Sequence, residues 1–212
     1  MIDSNILQYS VLEPLNVSRE TFNDLEEFRT LLIKKNEQIN LIAKNSEKNI
    51  RERHIIDSAQ VIDFIDKNEI NCTDIGSGSG LPGIVLAIIA KHKNIPMNFN
   101  LYEKSFRKSQ FLNEVIQKLK LNVKVFQKDI FQESNLITDI IIARAFKPLP
   151  IILELANSKF NKFKSIILFL GRKNKKIIEE NLDKWSFEYK EKKSITSEES
   201  LIVKIWNLKR NG

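Results

Sequence analysis

Eight residues constrain this chain more than any others. In the stretch "NCTDIGSGSGLPGIVLAI", Gly76 to Gly83 contain four of the six glycines in 212 residues. A short β-compatible run, "CTDI", leads into them. After Pro82, which suits the first turn of a helix, the run Ile84 to Ala90 is purely apolar. A strand that turns through glycines into such a helix opens a βαβ unit, and a helix apolar nearly all round has to pack between a sheet and other elements. Glycine in this turn supplies positive φ and lets a ligand come close to the backbone.

The pattern continues on both sides of the loop. "NFNLYE" reads as a strand ending at Glu103. Ser105 then caps a helix with Phe106, Leu112, Val115, Ile116 and Leu119 inward. "VKVF" is a strand ending before Asp129, and "DIIIA" a buried strand ending at Arg144. A helix over 150–160, the strand "SIILFL" and a helix from Lys173 to Lys184 follow. "SFEYKEKKSI" and "LIVKIWNL" form a closing hairpin around "TSEES". Upstream, Ser18 caps a helix over 18–43 bearing Phe22, Leu25, Phe28, Leu31, Leu32 and Ile39, and a second helix spans about Asn45 to Lys67. The alternation predicts an α/β fold: a mostly parallel sheet, helices on both faces and a C-terminal antiparallel hairpin. A helical extension over 1–68 precedes a sheet domain over 69–212, together one compact unit.

Composition narrows the function classes. The single cysteine, Cys72, rules out a disulfide framework, and with only two histidines no metal site is expected. There is no signal-like N-terminus and no apolar run near the ~20 residues of a membrane span, so a cytoplasmic protein without a membrane partner is expected. Lys and Arg number 34 against 27 acids, a net +7. That balance favours polyanionic partners, although a general Lys, Ile and Asn bias also inflates it.

Two nucleotide loops compete for the glycines. Gly78-Ser-Gly80-Leu-Pro-Gly83 fits the dinucleotide G-x-G-x-x-G. Gly76-Ser77-Gly78-Ser-Gly80 fits the G-x-G-x-G of S-adenosylmethionine enzymes. The first would carry a strand through Gly76, where glycine is unfavourable; from Gly76, its third position falls on Leu81. The second needs only that the strand end before Gly76. Glu103 can take ribose hydroxyls under either reading, whereas Asp129 beyond the third strand suits an adenine lying over that loop. The residues favour methyl transfer over a nicotinamide-dependent oxidoreductase, the alternative. No Ser-His-Asp set or general-base dyad is visible, and "ARAFKPL" stands where amine methyltransferases carry an Asn/Asp-Pro-Pro-Tyr-like tetrad. That suits a nucleophile with a free lone pair, such as guanine N7, for which positioning is the whole task.

At "RHIIDSAQVI" (Arg53 to Ile62), "DIGSGSGLPGIVLAI" (Asp74 to Ile88), "KSFRKSQFL" (Lys104 to Leu112) and "ARAFKPL" (Ala143 to Leu149), in that order, the chain resembles the RsmG (GidB) family of bacterial 16S ribosomal RNA methyltransferases. The resemblance runs from about Phe28 to Trp206. It implies a class I (Rossmann-like) fold, S-adenosylmethionine as methyl donor, and methylation of guanine N7 in the decoding region of 16S rRNA, naked or in the small subunit. It carries donor contacts onto Gly76 and Leu81, onto Ile130 and Phe131, and onto Arg144, which is expected to position substrate or donor, with simple pairing to an acid at the strand end as the bland alternative. Ser77 and Gly78 complete the loop's contacts, and Glu103 stands where the family usually has Asp. His54, Asp57 and Ser58 match a helix motif leading into the sheet, for which simple pairing of Arg53 with Asp57 is the bland alternative. The chain departs from the family at Lys35-Asn36, at Asn40 to Ile42, at Leu170-Gly171 and at Glu199-Ser200.

Arg51, Arg53, Lys104, Arg107, Lys108, Arg172, Lys173, Lys175 and Lys176 sit near strand C-ends or on neighbouring elements. A basic rim of this kind would hold RNA phosphates. The chain is expected to act as a monomer. A non-catalytic RNA-binding protein with a relic pocket is the remaining alternative.

Overall fold

The computed structural model describes residues 17–171, 175–197 and 200–212, the side chains of Glu52 and Lys175 apart. Helix α1 (Arg19–Asn36) starts at Ser18, whose Oγ accepts from the Thr21 N–H at 3.2 Å. It ends earlier than the sequence suggests. The buried Asn36 carboxamide accepts from the Leu41 and Ile42 N–H groups at 2.8 and 3.0 Å, folding the chain back on itself. The second predicted helix is not a regular α-helix. A 3-10 segment (Lys44–Asn49), a π-helical turn (Arg51–Ile56), one α turn, α2 (Asp57–Ala59), and a second 3-10 segment (Gln60–Phe64) follow one another. Together they form a composite helix.

Strand β1 (Asn71–Ile75) ends before Gly76, as the methyltransferase register requires. Beyond it come α3 (Gly83–His92), β2 (Asn98–Tyr102), α4 (Phe106–Leu119), β3 (Val123–Phe126), β4 (Leu136–Ile137) and β5 (Ile140–Ala143). The chain closes with α5 (Leu149–Lys159), β6 (Phe160–Lys162), β7 (Ser165–Gly171), α6 (Lys175–Asn181), β8 (Trp185–Lys193) and β9 (Ser200–Arg210). The main sheet has the order β3-β2-β1-β5-β7-β9-β8. Its first five strands are parallel, and β9 runs antiparallel between β7 and β8. The sequence did not signal β4 and β6, which pair in a separate two-stranded ribbon. Lys173, where the sixth helix was expected to begin, and Arg172, expected with it on the basic rim, lie outside the described residues, as does Glu199.

Two apolar cores cover the two sheet faces. One joins Leu25, Phe28 and Leu32 of α1 to Ile84–Ile89 of α3 and Phe111, Leu112 and Val115 of α4. The other sets Ile152, Leu153 and Ala156 of α5 and Ile178 of α6 against β5, β7 and β9. Helix α3 is buried from Gly83 to Ala90, which explains its lack of a polar face. Phe106 departs from its expected inward position and is 57% exposed. It heads the face of α4 continued by the exposed Gln110, Asn113 and Gln117, while Ser109, Leu112 and Val115 face the core. No helix among the described residues is long and apolar enough to cross a membrane.

Candidate active site

Strand order reverses between β1 and β5, and a cavity of about 720 Å³ lies beyond their C-terminal ends. Ligands of open α/β sheets bind at such a crevice. Gly76, Ser77, Gly78, Leu81, Glu103, Asp129, Ile130, Phe131 and Arg144, the nine residues singled out in the sequence, all line it.

The glycine loop is held in shape from below. Gly76 and Ser77 donate N–H bonds to the Tyr102 carbonyl at 2.9 and 3.0 Å, and Gly80 to that of Ser77 at 2.8 Å. Gly76, Gly78 and Gly80 have φ of 72°, 57° and 88°, a region L side chains rarely enter. At Gly76 a Cβ would also lie 2.1 Å from the Phe146 ring. Gly83 has an ordinary φ and a different task, since its Cβ would meet Leu101 at 2.5 Å and Asp74 at 2.6 Å. Its role is close packing of helix on sheet, so the apparent dinucleotide fingerprint is an overlap of two functions. Asp74 lies beneath and accepts from the Gly83 N–H at 3.0 Å. Burial pushes its carboxyl up to about 7, against the Gly83 and Ser77 hydrogen bonds that lower it.

Glu103 ties the loop to α4. One carboxylate oxygen accepts from Gly78 N–H at 2.9 Å and the other from Ser105 N–H at 2.7 Å. Each oxygen keeps a lone-pair direction for a further donor. Asp129 accepts from Phe131 N–H at 3.1 Å and so caps the single 3-10 turn Ile130–Gln132. Phe131 stacks on Phe146 with centroids 5.9 Å apart.

Arg144 lines the cavity but directs its donors away from it. Nη1 bonds the His54 carbonyl and Ser58 Oγ, both at 3.1 Å. Nη2 bonds the Arg53 carbonyl and pairs with Asp57 at 3.0 Å. The face of Phe169 lies 5.0 Å from the guanidinium carbon. Asp57 is therefore the partner of Arg144, not of Arg53 as the helix spacing allowed. Its other oxygen accepts from Ser194 Oγ at 2.6 Å, and Gln60 Oε1 accepts from Ile195 N–H at 2.9 Å. These contacts latch the composite helix to the β8–β9 turn. His54 lines the cavity, and its buried Nε2 has no hydrogen-bond partner among the described residues. Burial, then the charges of Arg144 and Arg53, lower its pKa to about 4, so the ring is neutral at neutral pH.

Sequence reasoning missed one wall. Leu41, Ile42, Ala43 and Ser46 close the cavity from the N-terminal side, and Tyr102, Phe146 and Lys147 also line it. The available signal was Asn36, a polar residue at a helix end that fixes the turn carrying Leu41 and Ile42. Of the expected basic rim, Lys104 and Lys108 line the cavity, with Lys128 and Lys147 added. Arg51 does not join it, because its guanidinium pairs with Glu26 at 2.8 Å. Lys176 pairs with Glu180 at 3.8 Å within its own helix. Among the described residues no cluster of His, Cys, Asp and Glu could hold a metal ion.

Residues 21–203 match the family described as GidB, rRNA small subunit methyltransferase G. A ribosomal RNA small subunit methyltransferase G from Pelagibacter ubique is 48% identical over 206 residues, covering 96% of this chain and 97% of that one. One of the same description from Dinoroseobacter shibae is 34% identical, covering 86% and 93%. Among solved structures, a SAM dependent methyltransferase from Aquifex aeolicus superposes with a TM-score of 0.55 at 14% identity, over 77% of this chain and 94% of that one. The 16S rRNA methylase RmtB superposes with 0.54 at 15% identity, over 92% and 76%. At such identities the structural likeness shows the fold alone.

Proposed function

The chain belongs to the rRNA small subunit methyltransferase G family, and on that premise we propose that it transfers a methyl group from S-adenosylmethionine to N7 of a guanine in the decoding region of 16S ribosomal RNA. The observation that carries this reading is the convergence of the positive-φ glycine loop, Glu103, and the Asp129–Phe131 turn on one cavity at the strand switch point. A strand that ends at Ile75 also supports the methyl-donor register over the dinucleotide one.

The residues fit the donor in class and placement. Backbone of Gly76 to Leu81 would lie against its amino-acid end. The free lone pairs of Glu103 would accept from the ribose hydroxyls, and Asp129, Ile130 and Phe131 would border the adenine. When bound, the donor supplies a methyl group already activated on a sulfonium. The work left to the protein is alignment, for which effective molarities are large. No proton has to leave N7 before attack, so no side chain need act as a base. Neutral His54 and the carboxylates, each already accepting a backbone N–H, suit that task. We read Arg144 as a positioning residue that fixes the His54 segment against the cavity.

Labelled S-adenosylmethionine incubated with small subunits lacking the modification should yield 7-methylguanosine in the 16S RNA. Absence of label, or label on another atom, overturns the reading. Calorimetry should detect S-adenosylhomocysteine and not NAD; NAD binding alone would favour the oxidoreductase alternative. The protein is expected to act as a monomer in the cytoplasm, and gel filtration tests the first point.

A further inference from the structure

Phe106 is the least explained side chain near the cavity. It is 57% exposed at the first position of α4, on the polar side of a helix whose apolar side is already complete. Among the described residues no ring stacks on it. Its neighbours are cations: Lys104 and Lys108, two positions away on either side, line the cavity, and Arg107 is exposed beside it. No acid among the described residues pairs with Arg107 or Lys108, while Lys104 pairs at the limit of contact with Asp129, at 3.9 Å. An exposed phenyl ring in the first turn of a helix that also carries Arg107 and Lys108, neither with an acidic partner among the described residues and the latter lining the cavity, suits single-stranded RNA. The ring offers a face to a base, and the cations hold the phosphates on either side.

We propose that Phe106 is a stacking platform for an unpaired base adjoining the target guanine, with Lys104, Arg107 and Lys108 holding the flanking phosphates. The proposal rests on the RNA methyltransferase reading and extends it, because it assigns to this surface the strand entering or leaving the cavity. Stacking is indifferent to base identity, so Phe106 contributes affinity and register, not sequence choice.

The test is equilibrium binding to small ribosomal subunits lacking the methyl group, over a range of salt. Phe106→Ala should weaken binding about tenfold with the salt slope unchanged. Phe106→Trp should keep wild-type affinity, and Phe106→Leu should be as weak as alanine. Arg107→Gln with Lys108→Gln should lower the slope by about 1 per removed cation. Affinity for S-adenosylhomocysteine and melting temperature should stay at wild-type values in the Phe106 variants, since this side chain is outside both core and cavity. An alanine variant within about twofold of wild type overturns the proposal. So does full rescue by leucine, which would indicate an apolar protein contact, or a loss confined to binding of anionic lipid vesicles. A wild-type protein that methylates the subunits while Phe106→Ala binds normally sinks the platform alone. A wild-type protein that neither binds nor methylates them sinks the function with it.

Discussion

Asp74 and His54 give the cavity region opposing responses to pH. The Asp74 carboxyl is raised to about 7 from 3.8, so between these values the unfolded chain releases a proton that the folded chain keeps. Stability from this group is full below about pH 4 and is lost as pH rises towards about 7, by up to about 1.4 kcal/mol per unit. His54 acts in reverse. Its folded value of about 4 lies below 6.5, so acidification through that window favours the unfolded chain. Asp74→Asn keeps an oxygen for the Gly83 N–H and removes the first response. Urea denaturation at a series of pH values should then show stability rising from about pH 4 to about pH 6.5 more steeply than in the wild type; coincident profiles would disprove the assignment. The glycines separate in the same way. Gly76→Ala forces a side chain into φ of 72° against Phe146 and should weaken S-adenosylhomocysteine binding at least tenfold, with about 1–3 kcal/mol of strain. Gly83→Ala meets Leu101 and Asp74 at ordinary φ, so it should lower melting temperature more than affinity. Calorimetry and thermal melts on both variants check the contrast.

Elements whose pattern is local were legible, and those shaped by distant partners were not. The period of α1, the apolar run of α3 and the end of β1 before Gly76 follow from neighbouring residues. So does the approach of Glu103 and Asp129 to one loop, because parallel strands bring their C-ends together. The composite helix was not legible. Arg144, some 90 residues away, takes the Arg53 and His54 carbonyls as acceptors beside the π turn. Such turns occur often at functional sites. Nor could periodicity place Phe106, since a residue at a helix N-terminus has no preceding turn to fix its face. The strands β4 and β6, of two and three residues, are too short to carry an alternation. A prediction belongs to the latch. The side chains of Arg144 and Asp57 are 16% and 6% exposed, so Asp57→Asn leaves a charge buried without its counter-ion and should cost about 3–5 kcal/mol. Arg144→Gln combined with it should cost less than the sum, by about 1 kcal/mol or more. Additive losses in a double-mutant cycle would show that the two groups do not act together.

For the whole molecule, the +7 charge matters by where it stays uncompensated. Outside the cavity lining, Lys164, Lys192 and Lys204 are neutralised by Asp139, Asp63 and Asp66 with Glu69. At the cavity mouth Lys108 and Lys147 have no acidic partner among the described residues. Affinity for ribosomal RNA should therefore fall at least tenfold between about 50 and 200 mM salt, while that for S-adenosylhomocysteine changes little; salt-independent RNA binding would contradict the basic rim. The latch between Asp57 and Ser194 spans 137 positions, and this has a consequence for biosynthesis. Translation delivers the composite helix well before its anchor, which follows β8 and precedes β9. Contacts of such separation form late. A chain stalled on its ribosome before Ser194 should leave residues 44–64 open to protease, and release of the finished chain should close them. The segment that carries His54 and the acceptors of Arg144 is thus fixed only once the chain through Ser194 has emerged and folded.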